Sequence, residues 1–361
     1  NDNAQTSNEL YNDKAGATLY AVWSAESSSY VVEHYYENAN DTGFTKETET
    51  LYAETDTIVE AVKKAKTGLV FNAEASNVLS GKVEADGSLT LVIYYVRETY
   101  TVSYSNNASN LTGDIDNAPA SVEVKYGQNF TTAMLTAIAR EGYTFSGWYL
   151  EAEATTKLDE ASIYNYQEDK TIYAGWTAED VNYTVIYKTE NLDGTYTEVT
   201  ADKATKEAKA DTSVTVSPEK TYTGFKTPVA QQVIVRADGS LEVVFEYTRN
   251  SYNLTLVKDT GISTFVAKDL TITEGKYVVK YGQEVTVENT VANGYSFAGI
   301  VVEGTETGHE ATFNMGASDL TLRATATANT YTVEYNANTG SGTAPEGSSA
   351  NYENTFTIAN D

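Results

Sequence analysis

Residues 170–187, Lys170-Thr-Ile-Tyr-Ala-Gly-Trp-Thr-Ala-Glu-Asp-Val-Asn-Tyr-Thr-Val-Ile-Tyr187, carry a strand pattern that ends on an aromatic residue and, after a few polar residues, a second strand pattern. The same seam recurs four times: Leu19–Trp23 before Tyr30–His34, Leu91–Tyr95 before Tyr100–Tyr104, Val243–Tyr247 before Tyr252–Leu256, and Leu320–Ala324 before Tyr331–Tyr335. Self-similarity at a regular spacing is the signature of a repeat architecture. The chain therefore reads as a tandem array of small modules of about 70 to 80 residues, near the lower size at which a single core suffices.

The seams divide the 361 residues into six segments: 1–28, 29–98, 99–178, 179–249, 250–328 and 329–361, the first closing a module and the last opening one. Tyr outnumbers Phe by 28 to 10, which favours strands with one wet face. In segment 1–28 a strand is expected only at Ala17–Trp23. Segment 29–98 opens with Tyr30-Val-Val-Glu-His and closes after Asp86-Gly with Leu89, Leu91, Ile93 and Tyr95 alternating with Thr90, Val92 and Tyr94. Between them Ile58, Ala61, Val62 and Ala65 share one helical face, Thr57 and Glu60 form a capping box, and Gly68 follows, so a short helix is expected over 57–68.

Segment 99–178 offers a second short helix over Thr131–Glu141, with Met134, Leu135 and Ile138 inward and Gly142 as its stop. In Gly142-Tyr-Thr-Phe-Ser-Gly-Trp148, Tyr143 and Phe145 share a strand face, and Gly147 bends the chain so that Trp148 covers the core; Trp176 ends the closing strand, and both tryptophans are expected to be buried. Segment 179–249 repeats the plan of 29–98 but with a strand at Thr212–Pro218. Segment 250–328 keeps Lys280-Tyr-Gly-Gln and Gly294-Tyr-Ser-Phe, and the alternation around Val285 and Val287 replaces its helix by a strand. The fold class is mainly β with occasional short helices (α+β). The links at the seams, about four to six polar residues long, are too short for flexible tethers, which predicts a rod.

Composition excludes several functions. Without cysteine the chain has no disulfide, thiolate metal site or thiol nucleophile, and 24 Lys+Arg against 51 Asp+Glu give a formal charge of −27, which repels nucleic acid and anionic membranes. No apolar run reaches the roughly 20 residues of a membrane helix. The start at Asn1, with neither a charged region nor a cleavable apolar run, reads as an internal piece of a longer exported protein.

His34 and His309 lie in different segments, so no histidine-based catalytic or metal constellation is expected, and both read as surface or strand residues. Gly340-Ser-Gly-Thr343 lacks the ending of a phosphate loop and reads as a turn. Asp114-Ile-Asp116 and Glu168-Asp169 lack calcium-loop spacing, so they read as solvated acidic loops rather than as a weak calcium site. Asn107-Ala-Ser109 and Asn182-Tyr-Thr184 match the glycosylation pattern, as chance provides in a chain rich in Asn and Thr. Catalytic, cofactor and metal residues are expected to be none, and the chain is not read as an enzyme.

Through Tyr100-Thr-Val-Ser-Tyr104, Tyr126-Gly127, Gly142–Trp148 and Ile172-Tyr-Ala-Gly-Trp176, segment 99–178 resembles an internalin B-repeat. Segments 1–28 and 329–361 resemble the two ends of such repeats, and 250–328, ending in Phe313–Leu322, their divergent form. Segments 29–98 and 179–249 are similar to mucin-binding-protein (MucBP) repeats, through Tyr30-Val-Val and Tyr183-Thr-Val at their starts and Ala-Asp-Gly-Ser-Leu at 85–89 and 237–241. The resemblance implies small β-grasp-like units in a Gram-positive cell-surface protein: an extracellular adhesin stalk whose partners are its own neighbouring modules. The alternative it implies is direct contact of the MucBP-like modules with host glycan or protein.

Overall fold

Period-two alternation in Tyr30–Tyr36 and Leu89–Tyr95 puts their large residues on one face each, and such strands are stable only when paired in a sheet over a common core. The computed structural model describes residues 16, 18, 20–40, 42–108 and 112–359. Its contacts fall into two units, one of residues 1–109, 115–139 and 145–177, the other of 110–114, 140–144 and 178–361.

The first unit begins with β1 (Ser27–Glu37), β2 (Phe44–Glu54), β3 (Ile58–Glu60), β4 (Leu69–Phe71), β5 (Ser80–Lys82) and β6 (Thr90–Arg97). They form a mixed sheet in the order β2-β1-β6-β4, with β3 and β5 as a separate antiparallel pair. β1 and β2 pair over their whole length, while β1 and β6 are parallel. Val32, His34 and Tyr36 of β1 and Leu91, Ile93 and Tyr95 of β6 face inward and are buried. The next module has β7 (Thr99–Ser105), β8 (Val122–Lys125), β9 (Tyr143–Tyr149) and β10 (Lys170–Ala178) in the order β8-β7-β10-β9, with β7 and β10 parallel. Its core gathers Val102, Val124, Phe130, Trp148, Tyr164 and Ile172.

In the second unit, β11 (Asp180–Glu190), β12 (Tyr196–Glu198), β13 (Ala204–Lys209), β14 (Ser213–Val216), β15 (Phe225–Lys226), β16 (Gln231–Ile234) and β17 (Glu242–Arg249) follow the plan of the first sheet. β11 and β17 are parallel, β12 and β13 share the far edge of β11, and β14 and β16 pair separately. Then come β18 (Ser251–Lys258), β19 (Ile262–Ala267), β20 (Ile272–Thr273), β21 (Lys276–Lys280), β22 (Glu284–Val291), β23 (Tyr295–Val302), β24 (Thr312–Asn314) and β25 (Leu320–Ala328). One sheet runs β20-β21-β18-β25-β23 and a second β19-β22-β24, with the core of Leu254, Tyr277, Val285, Val287, Met315 and Leu322 drawing on both. β26 (Thr330–Val333) and β27 (Ser348–Asn351) form a last antiparallel pair.

The four modules between Ser27 and Ala328 thus each place their first and last strands side by side and parallel at the centre of the sheet, with an antiparallel partner outside each. A parallel pair needs a crossover, which is usually helical. Here strands or loops provide it. Among the described residues the only helical element is a 3-10 turn at Thr200–Asp202, so the short helices of the α+β expectation are not formed. Over 57–68 the Thr57 hydroxyl donates to the Glu54 carbonyl instead of capping, at 2.6 Å, and β3 pairs with β5. Val59 and Ala61 pack on the core two residues apart, while Ile58 and Val62 of the expected helical face lie in solvent. Gly68 does have positive φ, but no helix precedes it.

Over 131–141 a single turn forms, held by Leu135 N–H on the Thr131 carbonyl at 3.1 Å. Helix growth stops because Trp148 Nε1 donates to the Thr136 carbonyl at 2.9 Å and Ala139 bonds Asp116 through both its backbone groups. Met134, Leu135 and Ile138 nonetheless reach the core. The strands expected at 212–218 and around Val285 are present as β14 and β22. At Ala17–Trp23 the described residues, Thr18 and 20–23, form no strand, and Tyr20, Val22 and Trp23 are exposed; no described strand lies alongside to supply hydrogen bonds.

Candidate functional site

The feature that recurs in this chain is the handover from one sheet to the next. Each handover takes one residue: Glu98 between β6 and β7, Glu179 between β10 and β11, Asn250 between β17 and β18, and Asn329 between β25 and β26. The expected links of four to six residues are shorter because their polar flanks, such as Thr99 and Ser251, already belong to strands.

Both backbone groups of each linking residue are held. Glu98 N–H donates to the Gly68 carbonyl at 2.9 Å, and its carbonyl accepts from Tyr126 N–H at 2.9 Å. Asn250 repeats this with Gly224 and Tyr281 at 2.9 and 2.8 Å, and Asn329 with Gly294 and Tyr352 at 2.8 and 2.9 Å. Glu179 bonds Gly142 at 2.9 Å and Ala210 at 3.0 Å. Glycine is required twice over. Gly68, Gly224 and Gly294 have φ of +71°, +81° and +83°, and a Cβ there would lie 2.1, 2.2 and 2.3 Å from the rings of Tyr126, Tyr281 and Tyr352. The tyrosine ring fills the place of the missing side chain.

Around two of these seams the same three charges meet. Glu37, the last residue of β1, accepts from Arg97 N–H at 2.8 Å and from Lys125 Nζ at 2.6 Å, and the Arg97 guanidinium donates to the Tyr126 carbonyl at 3.2 Å. In the second unit, Glu190, the last residue of β11, accepts from Arg249 N–H at 2.7 Å and Lys280 Nζ at 2.9 Å, and Arg249 donates to the Tyr281 carbonyl at 2.6 Å. Burial works against the Glu37 carboxylate, but Lys125 and the Arg97 N–H outweigh it and hold its pKa below the ordinary value; Lys280 and then the Arg249 N–H do the same for Glu190.

The second unit also contains a buried carboxylate cluster. Asp211 accepts from the Thr112 hydroxyl at 2.6 Å, from Tyr143 at 2.8 Å and from Arg140 at 3.2 Å. Burial followed by the Asp211 hydrogen bond pushes the Tyr143 hydroxyl up to about 12. Both carboxylate oxygens of Asp211 are thereby hydrogen-bonded inside the fold.

Trp148 is buried, whereas Trp176 is only half-buried, with Nε1 on the Asn106 carbonyl at 2.8 Å. His34 is a strand residue but not a surface one: it is fully buried, with Nε2 2.9 Å from Glu49 and Nδ1 3.1 Å from the Tyr95 hydroxyl. His309 packs edge-on to Phe313. Asp169 accepts from Thr101 N–H at 2.8 Å, and Gly340 closes a turn on Ala337. Among the described residues no group of three or more His, Cys, Asp or Glu is placed to hold a metal ion. No described helix is long and apolar enough to cross a membrane.

Comparison with known proteins agrees with the repeat reading. Residues 100–175 match the Listeria-Bacteroides repeat domain and residues 264–330 the divergent InlB B-repeat domain. Two proteins of Evansella cellulosilytica are similar, one named as a membrane protein (26% identical over 66% of this chain) and one as a Gly-rich membrane protein (29% over 60%). The chain spans 34% of the first relative and 23% of the second. The Bacillus anthracis TIE protein aligns over 82% of this chain and 65% of its own at 10% identity with a TM-score of 0.26. The pilus adhesin SpaC of Lactobacillus rhamnosus GG aligns over 84% and 44% at 12% identity with a TM-score of 0.18. The two repeat-domain matches, set on four sheets that share a central parallel pair of first and last strands, support a surface repeat protein.

Proposed function

We propose that the chain is a spacer segment of a large bacterial surface adhesin, extracellular and without enzymatic activity, that holds a distal binding domain away from the cell wall. The observation that carries this reading is the single-residue seam inside each unit, at Glu98, Asn250 and Asn329, pinned through both backbone groups, which denies the two sheets it joins the slack of a flexible linker. In this proposal 29–98 and 179–249 are MucBP-like modules alternating with B-repeats at 99–178 and 250–328. Small-angle scattering tests it. A spacer gives a maximum dimension above about 100 Å, from strands of roughly 3.3 Å per residue laid module after module; a globule-sized dimension refutes it.

A second reading, direct binding of host glycan by the first module, has one observation in its favour. On the outer face of its sheet Tyr35 and Tyr94 stack with centroids 4.8 Å apart, and Phe44, 41% exposed, meets Tyr94 edge-on at 5.2 Å. Aromatic faces of this kind suit sugar rings. A glycan array probed with the intact chain and with Phe44→Ala separates the two: binding lost in the variant favours the second reading.

A further inference from the structure

The three charges at seams 98 and 250 come from distant parts of the sequence, yet occupy the same places in the fold. The glutamate is the last residue of the opening strand (Glu37 of β1, Glu190 of β11), the arginine the last of the closing strand (Arg97 of β6, Arg249 of β17), and the lysine the last of the strand paired antiparallel with the following module's first strand (Lys125 of β8, Lys280 of β21). After the lysine both chains continue Tyr-Gly-Gln, and the glutamine carbonyl oxygen accepts the lysine's backbone N–H, at 3.0 Å for Gln128 and 3.1 Å for Gln283. The carboxylates are sheltered, at 11% exposure for Glu37 and 14% for Glu190, so solvent screening of these pairs is reduced.

The seam at Asn329 provides the contrast. There the glycine and tyrosine are kept, as Gly294 and Tyr352, but the position of the arginine holds Ala328 and that of the lysine holds Asn351. The nearest substitute is the Tyr295 hydroxyl donating to Glu353 at 2.9 Å on the exposed side. The glycine–tyrosine plug is thus common to the three seams, and the charged triad is specific to two.

We infer that the Glu–Arg–Lys clasp is a docking surface that locks one module to a particular successor, a module in which the antiparallel partner of the first strand ends in Lys and runs on as Tyr-Gly-Gln, so that 29–98 with 99–178, and 179–249 with 250–328, each form one rigid two-module block. The glutamate ties its own closing strand, through the arginine N–H, to the neighbour's lysine, and the arginine reaches over the seam to the tyrosine carbonyl. The division of contacts keeps each clasped pair together apart from 110–114, 140–144 and residue 178, and it also keeps 329–361, beyond the unclasped seam, with the second pair. This inference stands apart from the spacer reading, since it concerns how neighbours are locked whatever the array carries.

Because the chain has no cysteine, spin labels can be placed cleanly on the intact protein at Thr215→Cys and Thr271→Cys, exposed residues on opposite sides of seam 250. Pulsed dipolar spectroscopy is expected to give one narrow distance peak. Glu190→Ala is expected to abolish that peak in favour of a broad distribution, Lys280→Met to broaden it less, and the double variant to be no broader than Glu190→Ala, since both act on one contact. Glu303→Ala removes an ion pair with Arg323 inside a single module and is expected to leave the peak unchanged. A peak that stays narrow in Glu190→Ala and Lys280→Met overturns the clasp. So does equal broadening by Glu303→Ala. If Glu190→Ala fails to fold, Lys280→Met decides the question, because Lys280 is 39% exposed and its truncation leaves the core intact.

Discussion

Replacing Gly224 by alanine isolates the contribution of the tyrosine plug, because the same module contains its own control. Gly194 has a similar backbone, with φ of +85° against +81°, but a Cβ there meets nothing within 4 Å, whereas at Gly224 it would lie 2.2 Å from the Tyr281 ring. Both variants carry the cost of holding alanine in the left-handed region, about 1 to 2 kcal/mol. Only Gly224→Ala must also expel the ring, and overpacking of this kind adds about 1 to 3 kcal/mol. The expected losses are therefore about 1 to 2 kcal/mol for Gly194→Ala and about 2 to 5 kcal/mol for Gly224→Ala. Hydrogen exchange followed by mass spectrometry in increasing urea, read on peptides from 179–249, reports this module's opening without averaging over its neighbours. Peptides spanning 276–283 should lose protection in Gly224→Ala alone. Equal effects of the two substitutions would show that the ring does not close the seam.

Trp148→Ala removes a side chain that is 1% exposed and orphans the Thr136 carbonyl, so a loss of roughly 3 to 5 kcal/mol is expected, enough to unfold residues 99–178 in a two-dimensional NMR spectrum; a native-like spectrum would contradict the core assignment. Glu37 and Glu190 have folded pKa values below their ordinary value of 4.5, so their contribution is present above that value and disappears as pH falls through the lower, folded one. Melting temperature should accordingly drop on acidification below about 4.5, and Glu37→Gln with Glu190→Gln should flatten that slope; an unchanged slope would remove the clasp from the pH response.

Strands and seams were legible because alternation is a local signal: Leu89, Leu91, Ile93 and Tyr95 can face one core only as a strand. The crossovers were not. Ile58, Ala61, Val62 and Ala65 fit a helical face, while Val59 and Ala61 fit a strand, and which pair is buried depends on β5, more than twenty residues further on. Thr57 shows the same ambiguity, since a hydroxyl suited to cap a helix serves a turn equally well, and here it bonds the Glu54 carbonyl. Over 131–141 the deciding partners, Asp116 and Trp148, lie outside the window in which a helix is read. The clasp was invisible for another reason. Glu37, Arg97 and Lys125 are ordinary surface residue types, and only the recurrence of all three at equivalent strand ends, as Glu190, Arg249 and Lys280, marks them as a set.

The parallel pairing of first and last strands governs the order in which a module can fold. β1 and β2 are joined by the short connection 38–43 and can zip early, but β1 meets β6 only after the whole crossover has been made, so the loop-closure entropy falls on the central pair. A module emerging from a ribosome or a secretion channel with its N-terminus first therefore stays open until its final strand is out. Its closing strand then runs, after one residue, into the strand that begins the next module, so Arg97 is set in place just as Thr99 starts to pair. Folding along such a chain proceeds as a sequence of delayed closures, each one positioning the edge from which the next begins.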